Sequence, residues 1–239
     1  MGPFFGTERV PFDLFGPIHL ATIGVVLVAG LCLIRAGMAA DERGRRRLRL
    51  ALGLAILLLL VSRHFWKAAT GLWAVQNDLP LHLCSAMAWV TIYGLWTRHP
   101  RALRLMYFLG VAGAVQALLT PDAEFGVVHF TFFESVGSHG TVVIAGVWAV
   151  MVEGYRPTAR DPWIAFGLLN LYAVVIYPVN LLLASNYLYV IGKPLVPTIL
   201  DVFPGWPWYI LLLEPVAIAL FLALWLPFRK RRAGGSRAG

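Results

Sequence analysis

The sequence predicts an all-α protein: a polytopic membrane bundle of seven transmembrane helices, with the N-terminus outside and the C-terminus cytoplasmic. Three observations carry that reading. Hydrophobic residues make up 59% of the 239-residue chain, charged residues 13%, and the mean hydropathy is +0.72. A soluble domain of this length cannot bury so much apolar surface, so the solvent has to be lipid. The apolar residues fall into seven runs of membrane-spanning length, separated by short polar or Pro/Gly-rich connectors. Finally, the Lys and Arg residues are partitioned. Those between the first and second runs, the third and fourth, the fifth and sixth, and after the seventh all fall on one side. Of the 20 Lys and Arg in the chain, Arg9 and Lys193 alone flank the other side, while Arg63 and Lys67 lie within span two. The positive-inside rule places the cation-rich side in the cytoplasm, and seven spans satisfy the resulting parity.

Taken in order, residues 1–16 are rich in Phe, Pro and Gly and read as an interfacial segment. Residues 17–228 form the transmembrane domain, and 229–239 a basic, disordered cytoplasmic tail. The spans are expected at 17–37, 48–70, 81–97, 103–119, 129–152, 162–184 and 207–228. Arg43, Arg45, Arg46, Arg47 and Arg49 are assigned to the loop before the apolar part of span two. Span three follows Asn77-Asp78-Leu79-Pro80, in which Asn77 or Asp78 can cap the helix and Pro80 suits its first turn. The first residues lack a basic n-region and span one is too long for a cleavable signal peptide. Cys32 and Cys84 fall at opposite membrane depths, which argues against a disulfide, and neither has metal-site spacing. The net charge of +8 could suggest nucleic acid, but no aromatic–basic interleaving accompanies it, so the arginines read as topology signals and anionic-lipid contacts.

The ionisable residues inside the spans are not spread evenly. His19, Arg63, His64, Lys67, His82, Gln116, Glu134, Ser138, His139, Asn180 and Glu214 all fall in the outer halves. A charged side chain in hydrocarbon costs roughly 2.5–3.5 kcal/mol on insertion scales, so several at one depth imply a shared polar cavity. Snorkelling to the headgroups is the bland alternative, and it suits Lys67 and Arg63 better than the shorter Glu134 and His139. On span five, Glu134 and Ser138 are four apart, as are Ser135 and His139, giving two adjacent polar stripes on one helix. Such residues also serve as helix–helix glue. The catalytic reading takes His139 or His82 as base, Glu134 or Glu214 as its orienter, and Cys84, Ser85, Ser135 or Ser138 as nucleophile. Cys84 is chemically the best of these, because its thiolate is intrinsically nucleophilic and it sits in the second turn of span three. Arg63 and Gln116 would hold an oxyanion or a phosphate, with His64, Ser138, Asn180 and Glu214 completing the substrate-binding set. No paired-histidine spacing supports a metal among His64, His82, Glu134 and His139, and no cofactor signature is present.

Several motifs together resemble a known family. They are Leu79-Pro80-Leu81-His82-Leu83-Cys84-Ser85, Gln116-Ala117-Leu118-Leu119-Thr120-Pro121-Asp122, Ser138-His139-Gly140, Asn180 with Asn186-Tyr187, and Gly205-Trp206-Pro207-Trp208-Tyr209. From span two to span seven the chain resembles the YwaF family of bacterial integral membrane proteins. That family is similar to the eukaryotic transmembrane protein 164, an acyltransferase acting on ether phospholipids, and more distantly to the androgen-induced hydrolases of fatty-acid esters, which use a threonine and a histidine. The resemblance implies a lipid-directed acyltransferase or ester hydrolase in the bacterial inner membrane, acting on a phospholipid or fatty acyl ester, with His139 matching the histidine. Its cysteine does not transfer, since the residue before His82 is Leu81 and Cys84 lies on the other side. A second function class stays open: an outward-facing transporter or binding protein for an anionic small molecule or lipid headgroup. The outward displacement of the polar set and the absence of an internal repeat rank it behind the enzyme.

Overall fold

The computed structural model describes residues 4–7, 12–121, 126–194 and 199–232. Arg9, Asp122 and the tail from residue 233 onward lie outside them. Among the described residues every regular element is helical. The long helices are α1 (Pro17–Ala39), α2 (Glu42–Ala69), α3 (Leu83–Thr97), α4 (Pro100–Leu119), α5 (Phe130–Met151), α6 (Asp161–Leu183) and α7 (Trp208–Trp225). Their first turns follow the chemistry of helix starts. Proline occupies the first turn of α1, α4 and α6, where its missing N–H costs nothing. The Asp41 carboxylate caps α2 by accepting from the Gly44 N–H at 2.8 Å.

Five of these helices, α1, α2, α4, α6 and α7 with its continuation to Arg229, are long and apolar enough to cross a membrane. Their outward faces are correspondingly apolar: Val25, Leu27, Val28, Leu58, Leu171, Val174 and Leu182 are all exposed, a pattern that only lipid solvates cheaply. α3 has 15 residues and rises about 22 Å. α5 has 22 residues and is the hub of the bundle, packing against α1, α2, α3 and α4. Ile56, Leu95, Met106, Ala145 and Trp148 form the centre of this core and are fully buried. α6 and α7 pair with each other and lean on α4. At the α4–α5 contact, α4 opens into a π turn over Met106–Gly110. A Cβ on Gly146 would stand 3.0 Å from the Met106 carbonyl oxygen, so the crossing is as close as it is because that residue has none.

Alternation of the helices creates two chemically distinct ends. One carries the start of α1, the end of α2, the starts of α3 and α5, and the end of α4. The other is rich in arginine, and its ion pairs bind the helix ends together: Arg49–Glu153 at 3.5 Å, Arg98–Glu153 at 2.7 Å and Arg104–Asp161 at 2.6 Å. Two boundaries differ from the sequence expectation. Arg43, Arg45, Arg46, Arg47 and Arg49 are not in a loop but on the opening turns of α2, because Asp41 caps the helix ahead of them and arginine is a good helix former. α3 starts at Leu83, not at 81, with His82 as its N-cap residue, so Cys84 lies in the first turn of the helix rather than the second. Asp78 is not the cap. It turns back to pair with Lys67 and accepts from the Ala74 N–H at 2.9 Å, which ends the connector before the helix begins.

Candidate functional site

The polar end is assembled around Arg63, near the end of α2. One guanidinium nitrogen, Nη1, donates to Glu134 Oε2 at 3.2 Å. The two partners differ in environment: the Glu134 side chain is 1% exposed and that of Arg63 is 42% exposed. The carboxylate is therefore sunk between helices, and the guanidinium reaches it from the open side with further donors left over. Arg63 is also close enough to act electrostatically on His82 and His139, and Lys67 on Glu134 and His82. Residues from α2, α5 and the start of α3 thus share one local field.

His139 lies one turn along α5 from Ser135. Its Nδ1 is 2.7 Å from the Ser135 carbonyl oxygen and 3.4 Å from Ser135 Oγ. A carbonyl only accepts, so Nδ1 carries the proton and donates, which leaves Nε2 with a lone pair. Among the described residues Nε2 has no hydrogen-bond partner. Ser138 Oγ donates to the same Ser135 carbonyl at 3.1 Å. A neutral imidazole with Nδ1 pinned and Nε2 available, within the electrostatic reach of a guanidinium, is an arrangement that can accept a proton while that cation holds a developing negative charge.

The remaining candidates are distributed differently. The His82 ring packs against Tyr187 and Tyr189, with centroids at 5.0 and 5.2 Å. Cys84 Sγ faces α4 at Gly113, beside Leu83, and no hydrogen bond among the described residues joins it to a histidine. His64 Nδ1 accepts from the Trp73 indole at 3.2 Å. Gln116 is exposed, and its main-chain carbonyl is occupied by Thr120. Glu214 accepts from Asn170 Nδ2 at 2.9 Å, tying α7 to α6. Asn180 is fully buried and has its hydrogen bonds spoken for: Nδ2 donates to the Tyr187 carbonyl at 2.9 Å, and Oδ1 accepts from the Ser185 hydroxyl and the Tyr187 N–H. Arg63 and Glu134 therefore meet directly, with His139 five residues along α5 and His82 at the start of α3 within the electrostatic reach of Arg63, whereas Cys84, His64, Gln116, Asn180 and Glu214 each answer to another neighbour.

The structure gives roles to residues to which the sequence reading assigned no site role, His19 of the outer-half polar set among them. Tyr187 is buried and its hydroxyl both accepts from the Leu79 N–H at 3.0 Å and donates to the Val75 carbonyl at 2.5 Å. With Tyr172, whose hydroxyl donates to the Leu81 carbonyl at 2.9 Å, it fixes the connector that delivers Asp78 and His82. His129 and His19 are buried structural ties. His19 Nδ1 accepts from the Phe15 N–H at 3.0 Å, so Nε2 is the protonated nitrogen and donates to the Leu118 carbonyl at 2.8 Å. His129 Nε2 lies 2.9 Å from the Gly6 carbonyl, and with the Phe130 N–H to the Phe4 carbonyl and the Trp66 indole to the Phe5 carbonyl it holds residues 4–7 against the start of α5 and the end of α2. A usable signal existed for Asn170, a polar side chain in the middle of an apolar span. Tyr187 stands in the Asn186-Tyr187 motif, but its role as a tie to Leu79 and Val75 had no signal, because tyrosine near a span end is ordinary in membrane proteins.

These features define a multi-pass membrane protein of helical-bundle type, with an Arg–Glu–His polar group at one end. The family model described as the TMEM164 family matches residues 14–225, and the chain belongs to that family. The transmembrane protein 164 likeness read from the sequence is in accord with this membership. No curated protein and no solved structure matches the chain.

Proposed function

We propose that this chain is a seven-span protein of the bacterial inner membrane, N-terminus outside, that acts on an acyl ester of a membrane phospholipid by acyl transfer or hydrolysis. The observation that carries the reading is the juxtaposition of Arg63, Glu134 and His139, a cation, its buried counter-ion and an imidazole with an unoccupied Nε2, at one end of a lipid-solvated bundle. In this scheme His139 Nε2 accepts the proton of the attacking thiol, hydroxyl or water. The oxygen of the attacked carbonyl takes up negative charge facing Arg63, and the ester C–O bond breaks. The departing lysophospholipid oxygen then recovers the proton from His139. Glu134 keeps Arg63 placed. The closer likeness to the YwaF proteins and the acyltransferase and hydrolase relatives supports the same substrate class.

A lipid-like acyl-activity probe offered to the protein in membranes tests this. Labelling lost in His139→Gln is expected. A companion Cys84→Ala variant decides whether the thiol is the acyl carrier, and Ser135→Ala does the same for the hydroxyl nearest His139. A second reading, an outward-facing binding protein or transporter for an anionic lipid headgroup or small molecule, is favoured by one specific feature: Cys84 faces Gly113 rather than a histidine. No probe labelling under any condition, with phospholipid co-purifying and lost in Arg63→Ala, would place that reading first.

A further inference from the structure

At the arginine-rich end, far from Arg63, the loop after α5 and the end of α7 enclose a cleft of about 360 Å³. Its walls are Arg156, Pro157, Thr158, Trp225, Phe228 and Arg229, with Ala159 completing the rim. We propose that this cleft binds the phosphate of an anionic glycerophospholipid from the leaflet at that end, independently of the site built on Arg63.

Three arginines of this end are spent on carboxylates: Arg49 and Arg98 on Glu153, and Arg104 on Asp161. Arg156 and Arg229 pair with no carboxylate among the described residues. Arg156 is also fixed in place, because its Nη1 donates to the Val150 carbonyl at 2.7 Å and the Tyr155 carbonyl at 3.2 Å. That anchors the guanidinium by one corner and leaves Nη2 and Nε without protein partners, the fork that matches two phosphate oxygens. The Asp161 carboxylate, three residues past Thr158, is already satisfied. Asp161 accepts from the Thr158 N–H at 2.6 Å and the Thr158 hydroxyl at 3.0 Å as well as from Arg104, so it does not compete for Arg156. The opposite wall, Trp225 and Phe228, is aromatic and sits where α7 leaves the apolar span, the depth at which a lipid's glycerol backbone lies. A soluble phosphate would use the two arginines but gain nothing from that wall, which is why a lipid is assigned.

The full-length protein in detergent micelles is titrated with phosphatidylglycerol, phosphatidylcholine or inorganic phosphate and examined by native mass spectrometry. Wild type is expected to bind phosphatidylglycerol about tenfold more tightly than phosphatidylcholine, and Arg156→Gln with Arg229→Gln to erase that preference. A second double variant at the same end, Arg43→Gln with Arg47→Gln, removes equal charge and should retain it. Equal loss in both double variants would mean diffuse charge attraction and overturn the site. Phosphate binding that depends on Arg156 and Arg229, without preference for phosphatidylglycerol, would overturn the lipid assignment. Should the cleft variant elute poorly, Arg156→Lys with Arg229→Lys substitutes for it. That variant keeps the charge but not the fork, and a preference undiminished in it would equally refute the guanidinium geometry.

Discussion

Removing either partner of the Arg63–Glu134 pair breaks the same hydrogen bond, yet the two losses should not cost the same. Arg63→Ala leaves the Glu134 carboxylate, 1% exposed, without its cation among packed helices. Stripping one member from a buried pair typically costs about 3–5 kcal/mol, because the survivor's desolvation is no longer compensated. The pair here is screened on the arginine side, where 42% of the side chain is exposed, so a cost below that range, about 2–3 kcal/mol, is the fair expectation. Glu134→Gln leaves Arg63 instead, and a half-exposed guanidinium can turn to water or headgroups, so the cost falls to about 1 kcal/mol or less. For a chain of this size 1 kcal/mol moves Tm by about 2–4 °C, so Arg63→Ala should melt roughly 5–10 °C below wild type and Glu134→Gln within about 4 °C of it. Thermal unfolding of the detergent-solubilised variants reads both. The double variant Arg63→Ala with Glu134→Gln should recover most of the Arg63→Ala loss, since no charge is then left buried. Equal losses in the two single variants, or no recovery in the double, would refute the asymmetric burial of the pair.

Other consequences can be checked separately. Tyr187→Phe removes the hydroxyl from both Leu79 and Val75 and should lower stability by about 1–3 kcal/mol, with faster proteolysis in the connector between α2 and α3. Gly146→Val should prevent the close α4–α5 crossing and abolish recovery of folded protein, while Gly167→Ala, at a position with nothing within 4 Å, should melt like wild type. Reporters fused after Gly239 and placed near Thr7 should report opposite sides of the membrane, and finding both on one side would break the seven-span topology.

The parts of this protein that the sequence made legible are those where the bilayer imposes the pattern. Helices such as α1, α6 and α7 are apolar on nearly every side, so hydropathy alone reveals them. The concentration of ionisable groups toward one end was visible for the same reason, since each is costly in hydrocarbon and must be accounted for. What hydropathy cannot encode is the partner each group takes. Asn180 looks identical in sequence whether it faces a substrate or, as here, closes the turn to Tyr187. Asp78 has the composition of a helix cap, yet a lysine eleven residues earlier offers a better partner, and α3 starts four residues later than a cap at that position would require. The position of Cys84 depends on how α3 is rotated against α4, a packing result decided by Leu83 and Gly113 rather than by any spacing along the chain.

The claim that the polar end does chemistry on a lipid is tested most directly by one assay. Purified protein is reconstituted into phospholipid vesicles carrying a radiolabelled acyl chain, and free fatty acid and newly acylated products are separated over time. Release or transfer of the label by wild type is expected, at least a hundredfold slower in His139→Gln in keeping with the usual contribution of a general base, and unchanged in Gly167→Ala, where nothing lies within 4 Å. Label that stays in the starting phospholipid with wild type, across diacyl and ether-linked lipids with and without a lysophospholipid acceptor, would contradict it.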